Sequence, residues 1–456
     1  MKKLLIIATL AAVGMGACSK DDGVSAPEDL RKYVQVTIPE NAASGETRTS
    51  VDGTTTSWVA GDRVAVSLYN GSTTEVCEFT ADRTGATTTF SGSVPVGSYT
   101  CAAAHYPFCA ATFDAVNKTF THTWGDAYCS TDLAAYDFMF STVYETPFVV
   151  DETTTVLPIA LTFRPLMARI GMKLALGANE TPKYVTFTTD DNVLPTAGTV
   201  NADGTFSASA LTNTLTVETD RKEFTVGLLP VGVASKMSVH VTTTDGMTYS
   251  DKSFQLAGLK RNTHYTMNVP CRTKRFMLTV PDGVDTKYGT GTYQNNEFYS
   301  VDPATDPTGI FKDWYFYRAE LKNTTNTASG DKLKGKNRIQ LQVDLGFNNS
   351  NNGAFVTAPI QCDGTKTVTV SFTAATNRAI SAKYWIGVTD NGPITSDWLR
   401  DINKISPHAE GSIPMSGNVS HSHTFTVTNG QRIMVKVSNT VGEHHLEFAD
   451  FTYTVE

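Results

Sequence analysis

Apolar and polar residues alternate along most of the chain from residue 33 onwards. In the stretch YVQVTI at residues 33–38, Val34, Val36 and Ile38 share one face and the remaining residues share the other. A period of two predicts a strand with one buried face. The same pattern recurs at residues 63–68, 237–241, 367–372, 432–437 and 445–455. The chain is therefore predicted to consist of short, half-buried strands.

Turn signals separate these stretches. Asp-Gly and Asn-Gly pairs favour the positive φ that a tight hairpin requires. They stand at Asp52-Gly53, Asn70-Gly71, Asp203-Gly204, Asp245-Gly246 and Asn429-Gly430. Residues 396–402 are the best candidate for one short helix, and hardly any other segment has a helical period. Strands joined by turns, with little helix, predict an all-β fold of sandwiches.

The length of the chain allows about three domains, each with a core of its own. One boundary is predicted after the polar run at residues 151–155, and the other near the basic residues at 270–275. The predicted units are a signal peptide at 1–17, a tether at 18–33, and β-sandwiches at 34–158, 159–271 and 272–456.

The N-terminal segment has the order of a secretory signal. Lys2 and Lys3 precede an apolar run at residues 4–13, which is too short to span a bilayer, and small residues precede Cys18. This resembles a bacterial lipoprotein signal, although Met15 stands where Leu is usual, and it predicts lipid attachment at Cys18. The alternative is an ordinary signal peptide followed by a chance cysteine.

The residues after Cys18 read SKDD, a short acidic run at 19–22. This resembles the surface-export signal of Bacteroidetes lipoproteins, and the resemblance implies a protein anchored in the outer membrane and facing the medium. The alternative is a solvated tether, whose composition fits equally well.

Charge and cysteine content narrow the class of protein. The formal net charge is -8, and the predicted signal peptide carries two lysines and no acidic residue, so the mature chain is near -10. This balance argues against a nucleic-acid partner, because a phosphate backbone requires a basic face. Besides Cys18 there are six cysteines, and four of them lie between residues 77 and 129. A disulfide is expected in that region, with three pairings open.

Several short motifs occur in order between residues 46 and 265. They are ETRT at 46–49, SWVAGDRVAV at 57–66, FTA at 79–81, Tyr106-Pro107, LTFRPLMARI at 161–170, Leu229-Pro230 and LKRNTHY at 259–265. In this order, behind a lipoprotein-type signal, they resemble the fimbrillin-like proteins of Bacteroidetes, the subunits of type V pili. The resemblance covers roughly half the chain and implies two tandem transthyretin-like β-sandwich domains.

These motif residues are predicted to have structural roles. Trp58 is expected to bury its indole, and Gly61-Asp62 to turn the chain into the next strand. Asp62 is interpreted as a turn-capping carboxylate rather than a catalytic one. Phe163 and Ile170 are predicted to lie in the core.

The resemblance implies assembly as the function. Family members are exported as lipoproteins, and an arginine-specific protease removes a first strand, so that a neighbouring subunit donates a strand to the exposed groove. Arg31 and Arg48 are the candidate cleavage points, and Arg48 is preferred because a cut there releases a whole strand. The alternative for both is an ordinary surface arginine. The implied partners are other pilus subunits, within a fimbrium at the cell surface.

Residues 276–456 depart from the two-domain pattern. They loosely resemble a jelly-roll sandwich of the kind found in carbohydrate-binding modules, and an added terminal domain suits a tip or accessory subunit. Exposed aromatic rings stack on sugars, and the candidate ligand-binding residues, for a host or bacterial glycan, are Trp314, Tyr315, Tyr317 and Trp398. The alternative is that members of these aromatic runs fill the core. A strand would direct Trp314 and Phe316 to one face, and Tyr315 and Tyr317 to the other.

Metal binding and catalysis find little support in the sequence. His421-Ser422-His423 and Glu443-His444-His445 lack a third ligand at a fixed spacing, so a solvated strand is preferred to a metal site. There is no nucleophile elbow, zinc-protease motif or phosphate-binding loop. We therefore predict no enzyme activity, no cofactor and no metal. The rival functions are a glycan-binding surface lipoprotein that does not polymerise and, less favoured, a secreted hydrolase.

Overall fold

The computed structural model describes residues 30–38, 58–136, 138–201, 203–281, 298–299, 311–325, 330–343, 352–377, 381–390, 392–406, 408–415, 417–438 and 445–456. Cys18, Arg48 and the turn at Asp52-Gly53 lie outside the described residues. In the described part of the chain, no helix is long and apolar enough to cross a membrane.

Strands account for nearly all of the secondary structure, which confirms the predicted all-β class. The first group is β1 (Arg31–Ile38), β2 (Arg63–Tyr69), β3 (Thr74–Ala81), β4 (Thr88–Pro95), β5 (Gly97–Tyr99), β6 (Cys101–Tyr106), β7 (Thr112–Asp114), β8 (Thr119–Thr123), β9 (Met139–Ser141), β10 (Phe148–Val150) and β11 (Phe163–Pro165). The second group is β12 (Ala168–Leu174), β13 (Pro182–Thr189), β14 (Leu194–Asn201), β15 (Phe206–Thr212), β16 (Thr214–Glu218), β17 (Glu223–Leu228), β18 (Ser235–Thr243), β19 (Thr248–Leu256), β20 (His264–Val269) and β21 (Lys274–Met277).

The third group is β22 (Phe298–Tyr299), β23 (Tyr315–Tyr317), β24 (Ala319–Lys322), β25 (Arg338–Gln342), β26 (Ala354–Val356), β27 (Thr365–Thr376), β28 (Ala382–Thr389), β29 (His408–Ile413), β30 (Val419–Thr428), β31 (Arg432–Ser438) and β32 (His445–Val455). Two short helices are described, α1 (Leu133–Tyr136) and α2 (Ser396–Arg400), and a 3-10 turn follows α2 at Ile402–Lys404.

The first core lies against a seven-stranded sheet ordered β1-β4-β3-β2-β6-β9-β11, with the strand pair β5–β10 beside it. Its buried side chains come from residues 34–163. β1 is the terminal strand of this sheet order and pairs antiparallel with β4, from Arg31 opposite Pro95 to Ile38 opposite Thr88.

The second core is enclosed by three groups of strands, ordered β17-β12-β20, β16-β13-β18-β19 and β15-β14-β8-β7. Because β8 pairs with β14, the β7–β8 hairpin belongs to a sheet of this core although it precedes residue 158 in the chain. The second core accordingly draws buried side chains from residues 101–140 as well as from 166–269.

The third core lies between two sheets. One contains β21, β32, β25 and β24, with β27 and β30 joined to it, and the other is ordered β22-β23-β26-β31-β28-β29. Aromatic side chains from both inner faces fill the space between them, including Phe276, Trp314, Phe355, Phe372 and Phe448. Two antiparallel sheets face to face around one core form the sandwich expected for this part of the chain.

β21 joins the second and third cores within one sheet. Along one edge it pairs with β19, where Thr248 lies opposite Arg275, and along the other edge it pairs with β32. Paired strands therefore connect β16, β13, β18, β19, β21 and β32 without interruption, and β25, which pairs with β24, joins β32 on the same edge as β21.

The buried Lys274 of β21 anchors this junction. Its Nζ lies 2.8 Å from Glu180 Oε1 and 3.0 Å from Asp245 Oδ2, and it also donates to the carbonyl of Gln361. The hydroxyl of Tyr249 donates to the same Glu180 oxygen at 2.6 Å. One ammonium group thus satisfies two buried carboxylates next to the second core and a backbone carbonyl next to the third.

Local sequence signals identified several elements correctly. The glycines of the four predicted hairpin turns in the described region all have positive φ, namely Gly71 (98°), Gly204 (86°), Gly246 (79°) and Gly430 (87°). The predicted helix is α2, where the Thr395 hydroxyl accepts a hydrogen bond from the Trp398 amide at 3.2 Å. The last predicted strand, at residues 445–455, has the bounds of β32.

No disulfide is formed among the four cysteines between residues 77 and 129, so the prediction of a disulfide in this region was wrong. All six described cysteines are free thiols. Cys77 lies in the first core, whereas Cys101 and Cys129 lie in the second core and Cys109 packs against it, so the four thiols are divided between two packing units. Burial raises the pKa of the Cys129 thiol to about 12, so this thiol stays protonated and weakly nucleophilic.

Candidate functional site

β1 lies between two backbone segments that are distant in sequence. On one edge it pairs with β4 along its whole length. On the other edge, the Gln35 amide donates to the carbonyl of Thr155 at 2.9 Å, and the Leu157 amide donates to the carbonyl of Gln35 at 2.8 Å. We call the space that β1 fills, between β4 and residues 155–157, the β1 slot.

The side chains of β1 divide between the core and the solvent, as the alternating pattern predicted. Val34, Val36 and Ile38 are fully buried in the first core, whereas the Tyr33 side chain is 67% exposed. Full burial of such side chains stabilises a fold by about 1.5–3 kcal/mol each. β1 therefore completes the first core as well as the edge of its sheet.

Trp58 is the central aromatic residue of the first core. Its ring centroid lies 4.9 Å from that of Phe90, 5.7 Å from that of Tyr106 and 5.6 Å from that of Phe163, all in edge-to-face geometry. Phe90 stands opposite Val36 of β1. The predicted burial of Trp58 and Phe163 is confirmed, and their rings belong to the core that β1 covers.

Asp62 has the predicted structural role. Its Oδ2 accepts a hydrogen bond from the Val59 amide at 2.8 Å, and its own amide donates to the Val59 carbonyl at 3.0 Å. Gly61, at a φ of 93°, provides the conformation that this turn requires. The turn holds Trp58 at the start of the segment that leads into β2.

One candidate cleavage point lies at the start of β1, and the other follows β1 in the sequence. Arg31 is the first residue of β1 and is exposed, and its guanidinium donates to the Ser93 carbonyl at 3.0 Å. Arg48 follows β1 in sequence and lies outside the described residues, as does Cys18.

Two of the four predicted ligand-binding aromatic residues, Trp314 and Tyr317, are completely buried. They are therefore not available to stack on a sugar ring. Trp314 lies in the third core, with its ring centroid 5.0 Å from that of Phe276 and 6.0 Å from that of Phe355. Tyr317 is equally inaccessible. The predicted alternation is confirmed, because Trp314 and Phe316 belong to the third core and Tyr315 and Tyr317 to a separate cluster.

Tyr315 and Trp398, the other two candidates, lie in that separate cluster on the outer face of the six-stranded sheet. We call the half-buried members of this cluster, Tyr315, Trp385, Ile394 and Trp398, the outer aromatic cluster. They pack against buried residues that include Leu399 of α2 and Met434 of β31. α2 thus covers this sheet face only partly.

Two buried cations lie beside the outer aromatic cluster. The Arg432 guanidinium lies 5.6 Å from the centroid of the Tyr315 ring and donates to the carbonyls of Asp313 and Thr357 at 2.6 and 2.8 Å. Lys436 Nζ donates to the Asn352 carbonyl at 3.1 Å. Burial lowers the pKa of Lys436 to about 7. Half-exposed rings beside cationic groups can stack on an apolar ligand face and bind its oxygen atoms.

A buried charge cluster at the start of β32 was not predicted from the sequence. Asp331, His445 and Glu447 lie close enough together to hold a metal ion. The guanidinium of Arg338 already contacts Asp331 at 2.5 Å and Glu447 at 3.6 Å, so a cation occupies this acidic cluster. Burial raises the pKa of Asp331, but hydrogen bonds from His445 and Arg338 outweigh burial and bring it to about 2.

Only His445 of this cluster belonged to a motif that the sequence suggested. His421 and His423, which were expected on a solvated strand, are half-buried on β30, and His423 Nε2 lies 2.9 Å from the Tyr384 hydroxyl. Burial lowers the pKa of both imidazoles. These histidines pack against Phe372 and Tyr384 of the third core.

Comparison with solved structures finds likenesses to proteins from Bacteroides and Porphyromonas species. A proposed cell adhesion protein from Bacteroides uniformis is 17% identical, with 54% of this chain and 94% of that chain covered and a TM-score of 0.36. The tip fimbrial protein Mfa3 from Porphyromonas gingivalis is 12% identical, with coverages of 55% and 96% and a TM-score of 0.28. A proposed cell adhesion protein from Bacteroides ovatus is 16% identical, with coverages of 53% and 92% and a TM-score of 0.32.

No curated protein sequence matches the chain. A family model described as fimbrillin-like matches residues 47–282, which is more than half of the chain. This range includes Trp58, the turn at Asp62 and all the strands that enclose the second core. The chain belongs to the fimbrillin-like family.

Proposed function

We propose that this chain is a pilus subunit that loses β1 by proteolysis and receives a strand of a neighbouring subunit in the β1 slot. Membership of the fimbrillin-like family supports a pilus- or adhesin-type subunit at the cell surface with a structural rather than catalytic role. The observation that carries the proposal is the β1 slot, in which β1 pairs on both edges and also closes a hydrophobic core.

Loss of β1 would create a strong acceptor for another strand. The amide and carbonyl groups of β4 that now bond to β1 would be unpaired, and so would those of residues 155–157. The apolar space filled by Val34, Val36 and Ile38 would open to water. An incoming strand with the same alternation restores both the hydrogen bonds and the apolar contacts. Its affinity is therefore expected to depend on apolar residues at alternate positions.

The position of β1 favours Arg48 as the cleavage point. A cut after Arg31 leaves residues 32–38 attached to the rest of the chain, and these residues include all three buried side chains of β1. A cut after Arg48 separates the whole of β1 from the segment that begins near Trp58. We therefore propose Arg48 as the processing site, after export as a lipoprotein anchored in the outer membrane through Cys18.

The pairing of β32 supports a tip or accessory role rather than a shaft role. β27 pairs with β32 along one edge, and β25 and β21 pair with it along the other. A strand that is bonded on both edges is not available for donation to another subunit. The strands beyond the second core thus pair with one another in a separate sandwich. Such a domain is expected to bind a ligand rather than to donate a strand.

The second candidate function is a surface lipoprotein that keeps β1 and binds glycans through the third sandwich. The outer aromatic cluster favours it, because Tyr315 and Trp398 keep part of their rings accessible beside Arg432. Both functions agree with a surface location, and they differ in the fate of β1.

Mass spectrometry of the mature N-terminus tests the proposal. Protein recovered from producing cells is expected to begin at Thr49 and to form multimers. Arg48→Ala is expected to keep residues 18–48 and to abolish multimers, whereas the matched variant Arg31→Ala is expected to assemble normally. A wild-type protein that begins at an acylated Cys18 and stays monomeric beside other subunits contradicts strand exchange and favours the glycan-binding lipoprotein.

A further inference from the structure

β30 is a long strand that is paired along one edge only. Its ten residues pair with β27 without a register shift, from Val419 opposite Ala374 to Thr428 opposite Thr365. Within the part of the chain that the structure describes, β27 is its only strand partner. We call the edge of β30 that faces away from β27 the free edge. An edge of this kind presents amide and carbonyl groups to any strand that lies beside it.

The backbone groups at the free edge can be assigned from the other side of β27. The Thr367 amide donates to the Glu456 carbonyl at 3.1 Å, and the Glu456 amide donates to the Thr367 carbonyl at 3.0 Å. Thr367 therefore directs both groups away from β30. Thr426 stands opposite Thr367, so the two form a non-hydrogen-bonded pair and Thr426 directs its own groups to the free edge.

The same direction applies to every second residue of β30. Thr428 is consistent with it, because its amide and carbonyl bond to Gln431 at 2.8 and 3.1 Å and not to β27. The remaining residues that face the free edge have no backbone partner there within the described structure. They are Ser420, Ser422, Thr424 and Thr426. The free edge thus offers four amide and four carbonyl groups.

β30 has none of the features that usually prevent strand addition. Charged side chains, prolines and bulges protect most edge strands. Residues 418–428 contain no Asp, Glu, Lys, Arg or Pro. The side chains of the four edge residues are exposed hydroxyls. His421 and His423 lie on the opposite face, and burial lowers the pKa of both, so the strand is uncharged at neutral pH.

Other terminal strands of the described sheets are protected in these ways. β24 carries Glu320 and Lys322 among its four residues, and β29 carries Glu410. The pairing of β14 with β15 shifts register twice. β30 is therefore an exception among the terminal strands, since it is long, regular and uncharged.

We propose that the free edge of β30 pairs antiparallel with β30 of a second copy of this chain, about a two-fold axis at His423. With this axis, Ser420 stands opposite the partner's Thr426, and Ser422 stands opposite the partner's Thr424. Each of the four edge residues exchanges two hydrogen bonds with its opposite residue, so that all the free amide and carbonyl groups are used.

The side chains of β30 favour a second copy as the occupant. Between β27 and β30, the hydroxyls of Thr369 and Thr424 lie 3.3 Å apart and those of Ser371 and Ser422 lie 3.2 Å apart. Two copies of β30 continue these rows with the same hydroxyl side chains. The net charge of the chain is -8, so two copies meet with least repulsion at an uncharged strand.

This contact does not depend on the β1 slot. A two-fold contact closes after two copies, so multimers larger than a dimer still require strand exchange. A single pair of strands buries little surface, and the dimer is therefore expected to be weak.

Sedimentation velocity of residues 19–456 carrying Arg48→Ala tests the proposal, because this chain keeps β1 and does not exchange strands. A monomer–dimer equilibrium is expected between about 1 and 300 μM. Thr424→Lys is expected to weaken it about tenfold or more, since the two ammonium groups occupy diagonal positions about 7–8 Å apart. Thr424→Pro is expected to act similarly, because it removes an amide at the free edge and no bond to β27.

Thr216→Lys is the matched control. It places the same charge on an exposed threonine of β16, a strand of the sheet that also contains β30, and it is expected to dimerise as wild type.

Cysteine cross-linking in the same chain tests the register. Paired residues that exchange hydrogen bonds have Cα atoms about 5.5 Å apart, which suits a disulfide. Oxidised Ser422→Cys/Thr424→Cys is expected to form a covalent dimer, whereas Ser422→Cys alone is not, because it stands opposite the partner's Thr424.

Unchanged thermal melting shows that each variant is folded. The proposal is overturned by a chain that is monomeric at every concentration, or by wild-type dimerisation of folded Thr424→Lys and Thr424→Pro. Absence of the covalent dimer overturns the axis at His423. None of these outcomes depends on the fate of β1.

Discussion

His105 is a buried imidazole whose environment allows only the neutral form. Its Nε2 donates to the Cys109 carbonyl at 3.3 Å, and its Nδ1 is buried without a hydrogen-bond partner in the described structure. The ring stacks on Phe138 at a centroid distance of 5.8 Å. Burial lowers the pKa of His105 to about 4. Protonation would place a charge at Nδ1 with nothing to solvate it.

This geometry predicts a loss of stability in mild acid. The unfolded chain takes up a proton on this residue near pH 6.5, whereas the folded chain does so only near pH 4, so the unfolding free energy falls as the pH drops through that window. The contribution of His105 is up to about 1.4 kcal/mol per pH unit. Denaturant unfolding at several pH values is expected to give a shallower pH dependence for His105→Phe than for wild type.

The matched control is the exposed His264, because His264→Asn is expected to keep the wild-type pH dependence. Parallel curves for wild type and His105→Phe between pH 4 and 6.5 contradict the assignment.

At the scale of single residues, sequence reasoning succeeded where local geometry decides the role. Asp62 and the turn glycines follow from backbone conformation, which depends on a few neighbouring residues. Alternation also assigned Trp314 and Tyr317 to opposite faces, but it did not reveal that both faces are covered there. Tyr317 is buried because its sheet face packs in the cluster containing Leu399, a contact between distant parts of the chain.

At the scale of elements, β1 differs from other edge strands because its removal would open a core. The backbone of Gln35 bonds to residues 155–157, so the alternate residue Tyr33 also directs its amide and carbonyl groups away from β4. Tyr33 and Ser93 are therefore a non-hydrogen-bonded pair, in which Cα atoms lie about 4.5 Å apart. That separation is within the range of a disulfide.

A disulfide across this pair is expected to retain β1. The double variant Tyr33→Cys/Ser93→Cys, when oxidised and cleaved at Arg48, should keep residues 18–48 bound on non-reducing gels and should not form multimers. Addition of a reductant is expected to restore both strand loss and assembly. The single variant Tyr33→Cys is the control, and multimers of the fully oxidised double variant would contradict exchange in the β1 slot.

The strands themselves were largely predictable, but their partners were not. The bounds of β32 follow from alternation, whereas its pairing with β21, β25 and β27 depends on residues 70–181 positions away. The β1 slot has the same limitation, since residues 155–157 carry no signal that links them to Gln35. Periodicity reports which face of a strand is buried, and it contains no information on which strand lies beside it.

At the scale of the whole molecule, the second and third cores depend on one buried ion cluster. Removal of the Lys274 ammonium would leave the Glu180 and Asp245 carboxylates buried without a cation. Breaking a buried pair in this way costs about 3–5 kcal/mol.

Lys274→Met is therefore expected to lower the melting temperature and to separate the unfolding of the two cores into distinct calorimetric transitions. Lys236→Ala, which removes an exposed lysine of β18, is the control and is expected to melt as wild type. A single wild-type transition for Lys274→Met would show that the cluster does not couple the two cores.

Residues 270–275 were predicted to form a basic link, but β21 begins at Lys274. Four residues are too few for alternation to distinguish a short strand from a connection. A lysine is also predicted to be exposed unless its carboxylate partners are known, because unpaired lysines are rarely buried. The β7–β8 hairpin was unpredictable for a related reason, because its pairing with β14 spans the polar run at residues 151–155.

The sheet that passes through β21 has a mechanical consequence. β21 pairs with β19 on one edge and with β32 on the other. The last two sandwiches are therefore joined by backbone hydrogen bonds rather than by a flexible linker. A ligand held by the outer aromatic cluster would therefore sit on a sandwich that is bonded to its neighbour. Tension applied to that ligand would be carried by the strand pairs β19–β21 and β21–β32 as well as by the connecting chain.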